Sequence, residues 1–179
     1  VTNIDLALSI IAKKTYFCSI TRRIMIKIGD KAPNFTLRDT EKAEHSLDDY
    51  SGKKVVLLFF PLAFTGVCTT ELCQIRDEKS LYEGLDAQVI AISVDSLFTL
   101  GKFKEEQGYN FPLLSDWNKE TARAYDALYE EFVLGMRGVA KRSAFVIGKD
   151  GLIKYAEVLE SAGDLPDFDK IKETLSTLN

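Results

Sequence analysis

The run "KVVLLFF" at residues 54–60 is the strongest constraint in the chain. Its apolar residues do not alternate with polar ones, as they would in a half-exposed strand, and they are too few to cross a bilayer as a helix. They read as a strand buried on both faces, the centre of a sheet covered by helices. "AQVIAISV" at 87–94 supplies a second such strand. Between them, residues 69–83 carry helix formers of mixed charge, and another helical stretch runs from Ser96 to about Gln107. Short strands are expected at 34–38 and 44–47, an extended segment at 111–116 and a helix over 119–128. In "SAFVIGKDGLIKYAEV" (143–158) two apolar runs flank "GKDG", whose glycines suit the tight turn of a β-hairpin. Leu165, Phe168, Ile171, Leu175 and Leu178 fall three or four apart and form the apolar stripe of a closing helix. This order of elements predicts an α/β fold, a central mixed β-sheet flanked by helices.

The 179 residues, 46% hydrophobic and 28% charged, have the composition of one globular domain. A net charge of −4 argues against a nucleic-acid partner, which needs a basic face, and no apolar stretch favours a membrane span. Three cysteines without the spacing of a disulfide scaffold fit a reducing compartment, so a cytoplasmic location is expected. Residues 1–24 read as an N-terminal extension. Their "IDLALSIIA" (4–12) resembles a signal core, but Asp5 stands where positive charge belongs and no convincing cleavage site follows. A Lys/Arg-bearing targeting peptide stays open as the alternative. The domain is expected over 25–179, with Cys18 an inert residue of the extension. The lone His45 is expected to be exposed in a charged turn, and with two cysteines it gives too few ligands for zinc. Trp117 and Tyr125 are expected in core packing, with a dimer face as the alternative.

Cys68 is the residue that can carry chemistry. The strand at 54–60 feeds a loop, "PLAFTGV", and then a helix beginning near Cys68. In α/β sheets, sites gather beyond the carboxyl ends of strands, where helix N-termini point. A thiol in the first helical turn faces unpaired N–H groups and the positive end of the helix dipole, both of which favour the thiolate. Thr65, three residues earlier, can bring its hydroxyl over the sulfur, and Pro61 can wall one side from water. A guanidinium from elsewhere in the chain would complete the site.

Pro61-x-x-x-Thr65-x-x-Cys68 resembles the active-site signature of the peroxiredoxins, thiol peroxidases on a thioredoxin-like fold. The resemblance extends from "GDKAPNFTL" (29–37) through "FFPLAFTGVC" (59–68) and "AISVDS" (91–96) to "FPLLSD" (111–116) and "RSAFVIGKDG" (142–151). It implies that Cys68 is the peroxidatic cysteine, that Thr65 and Pro61 are its pocket companions, and that Arg142 is the arginine held against the sulfur. Glu71, one helical turn past Cys68, resembles the acidic residue that orients that arginine. The implied reaction attacks the O–O bond of hydrogen peroxide or an alkyl hydroperoxide and leaves cysteine as sulfenic acid. The resemblance implies no metal, haem or flavin, a thiol reductant such as thioredoxin, and a homodimer.

Cys73 lies five positions after Cys68. A disulfide between them would fit a resolving role, yet five residues of helix rise ~7.5 Å and place the Cα atoms roughly 8 to 9 Å apart, whereas a disulfide needs about 4.4 to 6.8 Å. The bond therefore requires the first turns of the helix to unwind. The C-x4-C spacing resembles bacterioferritin-comigratory, Q-type peroxiredoxins, in which the second cysteine resolves. The surrounding "FFPLAFTGVC" is similar to the alkyl hydroperoxide reductase E-like branch, in which it does not. Both roles for Cys73, resolving thiol and buried bystander, stay open. So does a rival function, a redox sensor or chaperone that uses Cys68 oxidation as a switch.

Overall fold

The computed structural model describes residues 26–178, so Met25, Cys18 and the rest of the extension lie outside the described residues. In chain order the elements are β1 (Thr36–Asp39), β2 (Glu44–Ser46), β3 (Lys54–Phe59), α1 (Gly66–Asp77), α2 (Lys79–Gly84), β4 (Ala87–Ser93) and α3 (Leu97–Gln107). They continue with β5 (Leu113–Ser115), α4 (Glu120–Ala124), β6 (Leu128–Tyr129), β7 (Val139–Ala140), β8 (Ser143–Ile147), β9 (Ile153–Val158) and α5 (Phe168–Thr177). Seven strands form one sheet in the order β2-β1-β5-β4-β3-β8-β9, and β6 and β7 form a separate ribbon. The sheet is mixed: β3–β4 and β4–β5 are parallel, while β3–β8 and β8–β9 are antiparallel.

The apolar run becomes β3, paired on both sides and buried along its whole length. Because side chains alternate across a strand, it feeds two cores. Val56, Leu58 and Phe60 join Leu72, Ile75, Phe103, Ile171 and Leu175 under α1, α3 and α5. Val55, Leu57 and Phe59 pack on the other face with Ala122 and Tyr125, at α4, and with Phe35. Lys54 opens the strand almost buried, its ammonium satisfied by the carbonyls of Leu85 and Leu175, each at 3.2 Å.

Several boundaries differ from the sequence expectation. The helix over 69–83 begins earlier, at Gly66, and breaks at Glu78 into α1 and α2. The helix over 119–128 is only α4, because Asp126 takes a left-handed φ of 53° and Leu128 passes into β6. Leu165 lies outside the closing helix and is exposed: Pro166 restricts the residue before it to extended backbone, and Asp167 caps α5 by accepting the Lys170 N–H. His45 is half-buried rather than exposed, with Nε2 3.0 Å from Asp39 and Nδ1 2.8 Å from the Tyr50 hydroxyl. Tyr125 is in the core, its hydroxyl donating to the Pro33 carbonyl, but Trp117 is 62% exposed. Among the described residues no helix is long and apolar enough to cross a membrane.

If β3 is the shared wall of both cores, Leu58→Ala should lower unfolding free energy in urea by about 3 kcal/mol. Leu165→Ala, at an exposed position, should change it by less than about 0.5 kcal/mol.

Candidate active site

Two strand ends meet at the site. β3 runs up to Phe59, and β8, antiparallel to it, starts at Ser143 directly opposite in the register. Arg142, the residue before β8, is thereby delivered to the end of β3, where the chain turns into α1. That register explains how residues 74 positions apart come into contact. The loop between β3 and α1 is held by the neighbouring strand. Asp95, just past β4, accepts the Ala63 N–H at 2.7 Å and the Ser93 hydroxyl at 2.8 Å, and Ser93 Oγ is also 3.3 Å from the Pro61 carbonyl. Phe64 at the loop tip takes a left-handed φ of 64°, a strained conformation for a non-glycine residue. Its ring sits 4.9 Å from that of Phe103.

α1 begins at Gly66, with Thr65 in extended backbone as its N-cap, so Cys68 falls in the first turn. The Thr65 hydroxyl donates to the Leu62 carbonyl at 2.9 Å rather than to the sulfur. Thr69 and Thr70 donate back to the carbonyls of Thr65 and Gly66. Cys68 is 1% exposed and Pro61 is buried. Arg142, also 1% exposed, spreads its fork over three acceptors. Nη1 donates to Glu71 Oε2 in a short ion pair, and Nη2 lies 3.3 Å from Cys68 Sγ and 3.0 Å from the Ala162 carbonyl. One guanidinium thus reaches both α1 residues that project toward it, Cys68 and Glu71, one turn apart.

The electrostatics follow from burial. Removing Glu71 from water pushes its carboxyl up to about 7, although Arg142 beside it pulls the other way. Burial opposes the charged form of Arg142, and the charges of Glu71 and then Cys68 more than reverse this, raising it above the ordinary arginine value. Glu71 Oε1 and Arg142 Nε are buried without a hydrogen-bond partner among the described residues. The fork is therefore spent on the sulfur, one carboxylate oxygen and one carbonyl.

Cys73 lies elsewhere. It is half-buried on the same unbroken helix, its thiol 3.8 Å from Gln107 Oε1, and both cysteines are free thiols. Of the six candidate residues, the structure gathers Cys68, Glu71 and Arg142 into one contact set and places Pro61 and Thr65 in the adjoining loop. Sequence reasoning missed Ser93, Asp95 and Ala162. "AISVDS" held a signal for the first two, since polar residues at the end of a buried parallel strand face the site. A lone carbonyl in the loop after β9 leaves none.

The strand order, with α1 springing from the end of β3 and a thiol in its first turn, is that of a thioredoxin-like fold. Known proteins give the particular kind. Residues 28–156 match the AhpC/TSA family. Alkyl hydroperoxide reductase E of Mycobacterium bovis is 39% identical over 146 residues, 80% of this chain and 92% of that protein. Peroxiredoxin Bcp of Bacillus subtilis is 42% identical over 155 residues, 79% of this chain and 98% of the relative. The crystal structure of peroxidoxin BcpB from Mycobacterium tuberculosis superposes with a TM-score of 0.76 at 30% identity, covering 86% of this chain and 99% of that one. The chain belongs to the AhpC/TSA family: it is a peroxiredoxin, a thiol peroxidase.

Because the Glu71 carboxyl is held near 7 in the folded chain against 4.5 as its reference value, the folded state binds the extra proton. Stability should then fall as pH rises from about 4.5 to about 7, by on the order of 3 kcal/mol, and level off above. Urea titrations across that range should show this slope, and Glu71→Gln should flatten it.

Proposed function

We propose that Cys68 is the peroxidatic cysteine, with Pro61, Thr65 and Arg142 forming the hydroperoxide pocket and Glu71 orienting Arg142. The observation that carries this reading is the 3.3 Å approach of Arg142 Nη2 to the Cys68 sulfur in the first turn of α1. The substrate is hydrogen peroxide or an alkyl hydroperoxide. The sulfur attacks one peroxide oxygen and the O–O bond breaks. The other oxygen leaves with the electron pair, takes up a proton and departs as water or alcohol, and Cys68 keeps a sulfenic acid. Arg142 faces both the sulfur and the oxygens on which charge develops, so its hold strengthens in the transition state. The Thr65 hydrogen is occupied by Leu62, which leaves the hydroxyl oxygen to accept from a hydroperoxide. Buried Pro61 limits water on the neighbouring side.

Cys73 is proposed as the resolving thiol, its sulfur condensing with the sulfenic acid after the start of α1 unwinds. The unbroken helix from Gly66 to Asp77 supports the need for unwinding, because it keeps the Cα atoms beyond disulfide reach. Thioredoxin or a similar thiol donor then reduces the disulfide. A homodimer in the cytoplasm, with its domain running from Met25 and residues 1–24 as an appendage, completes the reading.

Turnover of peroxide with a thiol donor should vanish in Cys68→Ser. After one equivalent of peroxide, mass spectrometry of the unaltered chain should show the loss of two hydrogens within the peptide holding Cys68 and Cys73. A single stoichiometric oxidation without turnover would contradict the peroxidase cycle. A persistent sulfenic acid would contradict the role of Cys73.

A further inference from the structure

The third contact of the Arg142 fork, the Ala162 carbonyl, comes from the stretch 159–167 between β9 and α5, which has no strand or helix of its own. Ala162 is half-buried, and Glu160, Ser161 and Gly163 around it are exposed, so burial does little to fix that carbonyl. Hydrogen bonds to two neighbouring elements do. The Leu159 N–H donates to the Arg142 carbonyl at 2.9 Å. The Tyr129 hydroxyl, at the end of β6, donates to the Glu160 carbonyl at 2.8 Å and comes within 3.5 Å of the Leu159 carbonyl. Buried Lys141, the residue before Arg142, sends Nζ to Glu160 Oε1 at 2.7 Å and over the Tyr129 ring, 5.5 Å from its centroid. The β6–β7 ribbon makes this meeting possible. Tyr129 pairs with Val139 in its register, and the Lys141 N–H donates to the Ala127 carbonyl at 2.8 Å, so Tyr129 stands beside the chain that leads into Arg142.

We propose that Tyr129 is a positioning residue for the oxidation of Cys68: through the Glu160 carbonyl it fixes the loop that presents the Ala162 carbonyl, and so holds Arg142 Nη2 on the sulfur. This rests on the role proposed for Arg142. Nη2 carries two hydrogens, and the sulfur at 3.3 Å and the Ala162 carbonyl at 3.0 Å are their acceptors. Glu71 holds the fork at Nη1. The carbonyl is then the contact that limits how far the other end of the planar group can swing away from Cys68. Hydrogen bonds weaken steeply with misalignment, and a donor aimed at developing charge acts only from the right place. A loop free to shift its carbonyl would therefore let Nη2 drift just where the reaction needs it. Tyr129 touches neither the thiol nor the guanidinium; it acts through two residues of main chain.

Tyr129→Phe keeps the ring beneath Lys141 and removes the hydroxyl. In single-turnover measurements with hydrogen peroxide, Cys68 should oxidise about tenfold more slowly than in the unaltered chain. The pH at which that rate reaches half its plateau should also move upward, because a guanidinium drawn away from the sulfur favours the thiolate less. Coupling separates this from a change in packing. In an Arg142→Lys background, where there is no fork to position, adding Tyr129→Phe should alter the rate by less than about twofold. An unchanged rate or an unmoved pH profile in Tyr129→Phe, or an equal fall with and without the fork, overturns the inference. A rate that Arg142→Lys alone leaves unchanged overturns instead the role of Arg142.

Discussion

The site depends on one buried guanidinium. Arg142 is enclosed almost completely and makes contact with a carboxylate, a thiol and a carbonyl at once. Placing such a group away from water costs several kcal/mol unless its charge is answered, and Glu71 supplies the answer on the same helix that carries Cys68. The pair is a poor device for stability, since burial works against both members. In the proposed reaction its value lies in preorganisation: a planar fork fixed at two points has little freedom left when the third, the sulfur, changes its charge.

The fold exists to make that arrangement rigid. β3 is gripped by β4 on one side and β8 on the other, so its end is as well defined as any point in the sheet. α1 springs from there, and the antiparallel start of β8 brings Arg142 to the same place. Asp95 and Ser93, at the end of β4, pin the intervening loop. The rest of α1 is fastened to the segment after α3 through Arg76 and Asn110. A helix held by different partners at its two ends can open at one while the other stays fixed, and a helix carrying two thiols five residues apart needs that property for a disulfide between them.

Much of this was legible in the chain itself. The unbroken apolar run of β3 could only be a central strand, and the pattern from Pro61 to Cys68 named the family before any coordinates. Arg142 was identifiable by resemblance alone, because no spacing argument links residues so far apart; only the register of β8 on β3 makes them neighbours. The β6–β7 ribbon escaped notice since two-residue strands carry no periodicity. Leu165 fitted the helical stripe by spacing, and Pro166 overrode it. Trp117 looked like core by its size and stands in solvent.

The most direct test is the second-order rate at which hydrogen peroxide oxidises Cys68 when Arg142 is replaced by lysine, which keeps a positive charge but not the fork. The rate should drop at least about a hundredfold in single-turnover measurements, as when one preorganised donor to a developing charge is lost, with the circular dichroism of the folded chain retained. A correctly folded Arg142→Lys protein that reacts within a few-fold of the unaltered chain would contradict the account.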